Sequence, residues 1–433
     1  MKLNLRFLYL LPLLAVLFTN PALNAFAFGK EDEGGLGKLY DYGLTSLSLL
    51  AMALWYRRLE PVIRAWFWVV VAYTFALSME SYAGWHSWLV YPHVFAKLLV
   101  LLPLFGLYAF YRRYPPPSFG QLVLVVLPTM LLTLVFVYPE ALSLSSFLET
   151  DRGFNVTSAY LFLPIAMLCL NWYLIENNLL YGLVFLACVG LIVVLQHRTV
   201  WVCTAVALAI DLPLVALRVP QARAWSSRLL VLGALGLGMG VVSGLAVVLD
   251  NPEVVRKLAK SIADIEHPTT QGTGTFRLEQ HQAYLPLVEE RPLAGWRLQG
   301  FEVPILFYNP DSGEPWWPNF TGHHFHSFYL DRLFYFGYLG VAMVLLVPVL
   351  KLGRYLLRRT PLSSETAAML ACTVTFLLFA ISYDWPTYMY GLLGMQLALA
   401  SAPLAVVVPP VPSPPERPRR VVQTAGALPS PSY

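Results

Sequence analysis

Charge is what this sequence has least of. Only 12% of its 433 residues are Asp, Glu, Lys or Arg, against 57% hydrophobic. Soluble domains carry about 25% charged residues, so lipid rather than water must solvate most of the chain. The net charge of +4 is too mild to argue for a nucleic-acid partner. Cysteine is scarce as well. Cys169, Cys188, Cys203 and Cys372 all sit inside apolar runs, which excludes a disulfide framework and a thiolate metal site. Asp-x-Asp does not occur, so a divalent-metal clamp of that type lacks its ligands. A Walker-type phosphate loop is also missing, which leaves ATP coupling without a seat.

What the chain does have is long apolar runs. A helix needs about 20 such residues to cross the hydrocarbon. Runs at 7–28, 39–56, 62–82, 91–111, 119–138, 156–174, 178–196, 199–217, 229–249, 327–350, 365–383 and 387–408 predict an all-α, polytopic transmembrane bundle of about twelve spans. Runs of this length exclude a β-barrel. The first stretch follows Lys2 and Arg6 and ends near Ala25-Phe26-Ala27, which resembles a leader cleavage site; its length of about 20 residues predicts a retained span instead.

Lys and Arg placement sets the orientation. With the N-terminus inside, Arg57, Arg58, Arg112, Arg113, Arg218, Lys351, Arg358 and Arg359 fall in inner segments, while short outer loops hold only Lys30, Lys38, Arg152 and Arg198. Both termini are therefore expected in the cytoplasm. Four segments follow: an N-terminal bundle part over 1–249, a large outer loop over 250–325, a C-terminal bundle part over 326–408, and a Pro-rich, basic, disordered cytoplasmic tail over 409–433. The loop exceeds the roughly 15 residues beyond which loops are usually functional. It is expected to hold a surface helix over Pro252–Glu266 and a second over Phe276–Glu289.

Charges inside the spans are few: Glu80, Lys97, Asp211, Asp331 and Arg332. Glu80 and Asp211 lie near predicted span ends, unlike the mid-span carboxylates of an ion-coupled transporter.

Four outer-face features can carry chemistry. Arg198, in Gln196-His197-Arg198-Thr199, is a permanent cation at a tight turn, either a snorkelling helix cap or half of a binding pair. Thr273-Gly274-Thr275-Phe276-Arg277 opens a helix, where amides, a hydroxyl and a guanidinium suit a phosphate; alone it also reads as an ordinary N-cap. Arg291-Pro292-Leu293-Ala294-Gly295 signals a helix stop and turn. His323, His324 and His326 precede Ser327-Phe328-Tyr329-Leu330 at the membrane re-entry. Three histidines can ligate zinc, but no nearby Cys or acidic residue completes a set. The other reading is a general base, since imidazole titrates near neutrality.

Taken in order, these elements resemble the O-antigen ligase and polymerase superfamily of membrane glycan transferases. His197-Arg198 stands where the family has Ser-Arg. Arg291-Pro292-Leu293-Ala294-Gly295 resembles its His-Pro-Leu-x-Gly element. His324-Phe325-His326-Ser327-Phe328-Tyr329-Leu330, with Phe336-Gly337-Tyr338-Leu339-Gly340 after it, resembles its His-x-His-Asn-x-Tyr-Leu and following Gly-x-x-Gly. Ser327, Arg291 and His197 depart from the family's Asn, His and Ser.

The resemblance implies a polyprenyl-diphosphate-linked glycan as donor, no cofactor and no metal. It implies an acceptor hydroxyl on lipid A core or another glycan, at the periplasmic face of a bacterial inner membrane. His326 would be the catalytic base, and Arg198 and Arg277 would bind the donor diphosphate. His324, Thr273 and Tyr329 would support them, with Asp384 and Tyr388 as further pocket lining. Two enzyme variants share the pattern: a polymerase joining lipid-linked repeats and a protein O-glycosyltransferase. The contrasting class is a transporter of lipid-linked glycans.

Overall fold

The computed structural model describes residues 5–29, 35–148, 154–222, 225–250, 252–266, 273–304, 322–323 and 325–401. His324, the whole segment between Pro304 and Gly322, and the tail after Ser401 lie outside the described residues. All regular structure among the described residues is helical, so the bundle is all-α. In chain order the helices are α1 (Leu11–Leu17), α2 (Pro21–Phe28), α3 (Leu36–Trp55), α4 (Pro61–Trp85), α5 (Pro92–Leu99), α6 (Leu101–Arg113), α7 (Phe119–Phe136), α8 (Leu144–Leu148) and α9 (Val156–Tyr160). Then come α10 (Phe162–Glu176), α11 (Leu179–Val194), α12 (Arg198–Arg218), α13 (Trp225–Asp250), α14 (Pro252–Glu266), α15 (Thr273–Glu290), α16 (Phe328–Leu357), α17 (Ser364–Ser382) and α18 (Thr387–Ala400).

Each of the predicted apolar runs falls on a helix or a helix pair. Seven described helices are long and apolar enough to cross a membrane, or eight if a bent pair counts as one span. The bent pair is the first run. Phe7–Leu17 and Pro21–Phe28 meet at 101°. Asn20 is extended and accepts from the Ala22 amide at 3.0 Å, starting a new helix with Pro21 at its first position. Two other runs shorten, to Leu179–Val194 and Thr387–Ala400.

α12 and α17 run antiparallel, and three contacts set their register. The Leu362 amide donates to the Arg218 carbonyl at 2.8 Å. Asn171 Nδ2 bridges Asp211 Oδ1 and the Ser364 carbonyl, both at 3.0 Å. Cys203 Sγ meets the Thr375 carbonyl at 3.7 Å. The two expected loop helices form, as α14 and α15. α4 crosses α16, where Trp66 Nε1 donates to the Met343 carbonyl at 2.6 Å and Lys351 pairs with Glu60.

Candidate functional site

The site is built around a break in α16. Gly337 has φ +62 and ψ −160 inside an otherwise helical run. That break frees backbone groups, and the turn after α15 takes them. The Tyr338 amide donates to the Pro292 carbonyl at 2.8 Å, Leu339 to Leu293 at 3.1 Å, and Trp296 to Phe334 at 2.9 Å. The Pro292–Gly295 and Phe336–Gly340 elements, read separately in the sequence, are therefore two halves of one joint.

The same loop is strapped to the neighbouring helices. Arg297 donates to Glu80 Oε2 at 2.7 Å. Glu302 accepts from Trp85 Nε1 at 3.0 Å and from the Tyr91 hydroxyl. Glu80, noted as a charge inside a span, is thus an anchor for the loop. Arg291 bonds Gln299 Oε1 at 2.6 Å and lies 4.0 Å from the Trp296 ring centre, so it holds the turn.

This joint fixes α15 against the segment leading into α16. Arg277, Gln280 and Tyr284 share one face of α15 by their i, i+3, i+7 spacing. Each meets that segment or its neighbour. Buried Gln280 Oε1 lies 3.4 Å from the His326 amide and accepts its hydrogen bond. The Tyr284 hydroxyl lies 2.6 Å from His323 Nδ1. Burial raises the Tyr284 pKa well above that of a free phenol, so the hydroxyl keeps its proton and donates it. His323 Nε2 then donates to the Val303 carbonyl at 3.0 Å. Both ring nitrogens of His323, 2% exposed, are occupied. His323 is a strut between loop and helix.

Arg277 and His326 converge on Tyr383, at the end of α17. The Arg277 guanidinium lies 4.8 Å from the Tyr383 ring centre, and the His326 ring lies edge-on to it at 6.5 Å. The His326 side chain is exposed. Arg277 Nε is buried and has no hydrogen-bond partner among the described residues. An unsatisfied buried donor costs about 1–3 kcal/mol, more when charged, so among the described residues this donor is left without its acceptor.

Arg198 opens α12 and is partly buried. Its level follows from the register. Stepping back from Cys203 to Arg198, and forward from Thr375 to Ala380, each moves about 7.5 Å along antiparallel axes. Arg198 therefore lies level with Ala380, whose carbonyl accepts from Ser327 Oγ at 3.4 Å. The structure thus brings Arg277 and His326 to one ring and sets Arg198 at their height. Its neighbour His197 is 6% exposed and bonds the Phe154 carbonyl at 2.7 Å, which makes it part of the packing.

The supporting candidates divide. Tyr329 donates to the Leu377 carbonyl at 3.0 Å, and Tyr388 to the Thr157 carbonyl at 2.7 Å. Both hydroxyls tie helices together. Thr273 supplies the first residue of α15. His324 lies outside the described residues. No group of three or more metal-binding side chains occurs among the described residues.

Sequence reasoning missed Tyr383 and Gln280. Gln280 was findable, three residues from Arg277 on a predicted helix. Tyr383 had no local signal. Reasoning also treated Lys97, Asp331, Arg332 and Asp384 separately, although they form one cluster. Asp331 pairs with both Lys97 and Arg332. Arg332, 1% exposed, reaches Asp384 Oδ1 at 3.4 Å and the Tyr390 hydroxyl at 3.1 Å.

Residues 182–345 match the family model for O-antigen ligases. The match begins in α11 and ends in α16, so it contains the Arg198 turn, α15, the glycine joint and His326. No curated protein matches the chain.

Proposed function

Because the chain carries an O-antigen ligase domain, we infer that it is a membrane glycosyltransferase acting on a lipid-linked glycan donor. The finer reading is a ligase that moves the glycan from a polyprenyl diphosphate to a hydroxyl of lipid A core, at the periplasmic face of the inner membrane. On this reading all the apolar runs cross the membrane, both termini are cytoplasmic, and the large loop with α14 and α15 is periplasmic.

The observation that carries the reading is the unpartnered Arg277 Nε, on a guanidinium that shares the Tyr383 ring with His326. A diphosphate oxygen satisfies that donor. A guanidinium suits the task because it stays charged and offers paired donors. Arg198, at the same level, takes a second oxygen.

The chemistry needs no metal on this reading. His326 accepts the proton of the acceptor hydroxyl, and the freed oxygen attacks the anomeric carbon. A glycosidic bond forms as the bond from the anomeric carbon to the phosphate oxygen breaks. The electron pair leaves with the polyprenyl diphosphate, whose growing charge Arg198 and Arg277 neutralise. The His326 proton passes to solvent before the next turnover.

Purified protein reconstituted with undecaprenyl-diphosphate-linked glycan and lipid A core, with chelator present, tests this. Mass spectrometry should find glycan joined to core. Lengthened lipid-linked glycan with no core product would make the protein a polymerase, and unchanged substrates would remove the transferase reading.

A further inference from the structure

A second site lies next to the one described. Tyr383 packs with Arg277 and His326, and the next residue, Asp384, has different partners on the same short connection. There it holds Arg332 and lines a cavity of about 530 Å³. That volume falls within the roughly 300–1,000 Å³ of small-molecule sites. Its walls come from α3, α5, α6, the start of α16 and the connection into α18. Neither α12 nor α15 contributes, so the cavity lies away from the helices that carry Arg198 and Arg277.

The lining is chemically unlike a lipid groove. Exposed Asp41 and Tyr42 line it from α3, together with Lys97, Asp384 and the buried Arg332 and Trp385. Arg332 is nearly fully buried, and its Nε has no hydrogen-bond partner among the described residues. Cations and anions balance: Lys97, Arg332 and Lys38 stand against Asp331, Asp384 and Asp41, with Asp331 behind the wall. A cluster serving only to staple helices would be closely packed, whereas this one borders open volume. Carboxylates accept from hydroxyls, guanidinium and ammonium donate to them, and an exposed phenol ring offers an amphipathic face. A balanced set of this kind matches a neutral, hydroxyl-rich molecule better than a free anion.

We propose that this cavity is the acceptor-sugar subsite, holding a neutral sugar unit of the acceptor glycan next to the connection whose Tyr383 packs with His326. The inference rests on the transferase reading for its direction. That reading places the donor diphosphate by α12 and α15, which leaves the neighbouring cavity at Asp384 for the acceptor.

Binding and transfer are measured separately on the full-length protein in detergent. The probes are delipidated core oligosaccharide for the subsite and polyprenyl diphosphate for the donor side. The variants are Asp41→Ala and Tyr42→Ala, which alter exposed positions of α3, and Thr45→Trp, which fills the cavity from the same helix. Each should bind the oligosaccharide at least about tenfold more weakly while keeping its affinity for polyprenyl diphosphate. His326→Ala should bind the oligosaccharide like the wild type. Equal oligosaccharide affinity in Thr45→Trp, no binding by the wild type, or a loss confined to polyprenyl diphosphate would overturn the subsite. A wild type that binds the oligosaccharide, with the variant pattern above, yet makes no product from lipid-linked glycan would instead overturn the transferase reading and leave the subsite standing.

Discussion

Gly295 and Gly337 each hold a φ of +62 and each sits against the other's strand of backbone. A Cβ on Gly295 would stand 2.5 Å from the Phe336 nitrogen, and one on Gly337 would stand 2.4 Å from the Leu293 carbonyl carbon. The neighbours are main chain, so no side chain can swing aside. This joint sets α15 against the segment that carries His326.

Gly295→Ala and Gly337→Ala should therefore both lose stability and transfer together. The left-handed backbone alone costs about 1–3 kcal/mol for a residue with a side chain, and the clash adds to it. Thermal unfolding in detergent, followed by fluorescence, should show a lower midpoint for both. An unchanged midpoint with full activity would remove the joint from the account.

Arg277→Ala should weaken donor binding and reduce transfer, and Arg277→Lys should recover little. A point charge lacks the paired, planar donors that face a diphosphate. The affinity for polyprenyl diphosphate checks this directly. Wild-type affinity in Arg277→Ala would show that the guanidinium serves only to pack on Tyr383.

The orientation is testable because all four native cysteines are buried and should be silent to a membrane-impermeant thiol reagent. Gln282→Cys, exposed on α15, should label in spheroplasts. Arg358→Cys, exposed beyond α16, should label only after lysis. The opposite pattern would invert the bundle and put the site in the cytoplasm.

The sequence disclosed the architecture well because lipid imposes a blunt rule: backbone groups must be paired within the span, so apolar length reveals helices. Among the described residues the apolar runs meet helices for that reason, while only seven helices, or eight with the bent pair, are long and apolar enough to span, against the twelve expected. The kink at Asn20-Pro21 escaped because a length criterion does not see a cap inside an apolar stretch. At the site, Arg277 and His326 were legible as chemistry, each being a functional group at a helix start. Their shared contact with Tyr383 was not, since that residue arrives from α17 through packing alone. The partners of His323 and Glu80 were hidden for the same reason. A histidine bonded at both nitrogens and a carboxylate paired with Arg297 look the same in sequence as free ones.

The most direct test of the account is the rate of glycan transfer by His326→Ala, with donor affinity measured on the same preparation. A positioned base contributes about 10²- to 10⁴-fold in rate. The variant should therefore lose transfer by a factor in that range while binding polyprenyl diphosphate as the wild type does, because the proposed function gives the diphosphate to Arg198 and Arg277 and not to His326. Normal transfer by His326→Ala would contradict the base assignment. A loss of donor affinity as large as the loss of rate would contradict it as well, by making His326 a binding residue.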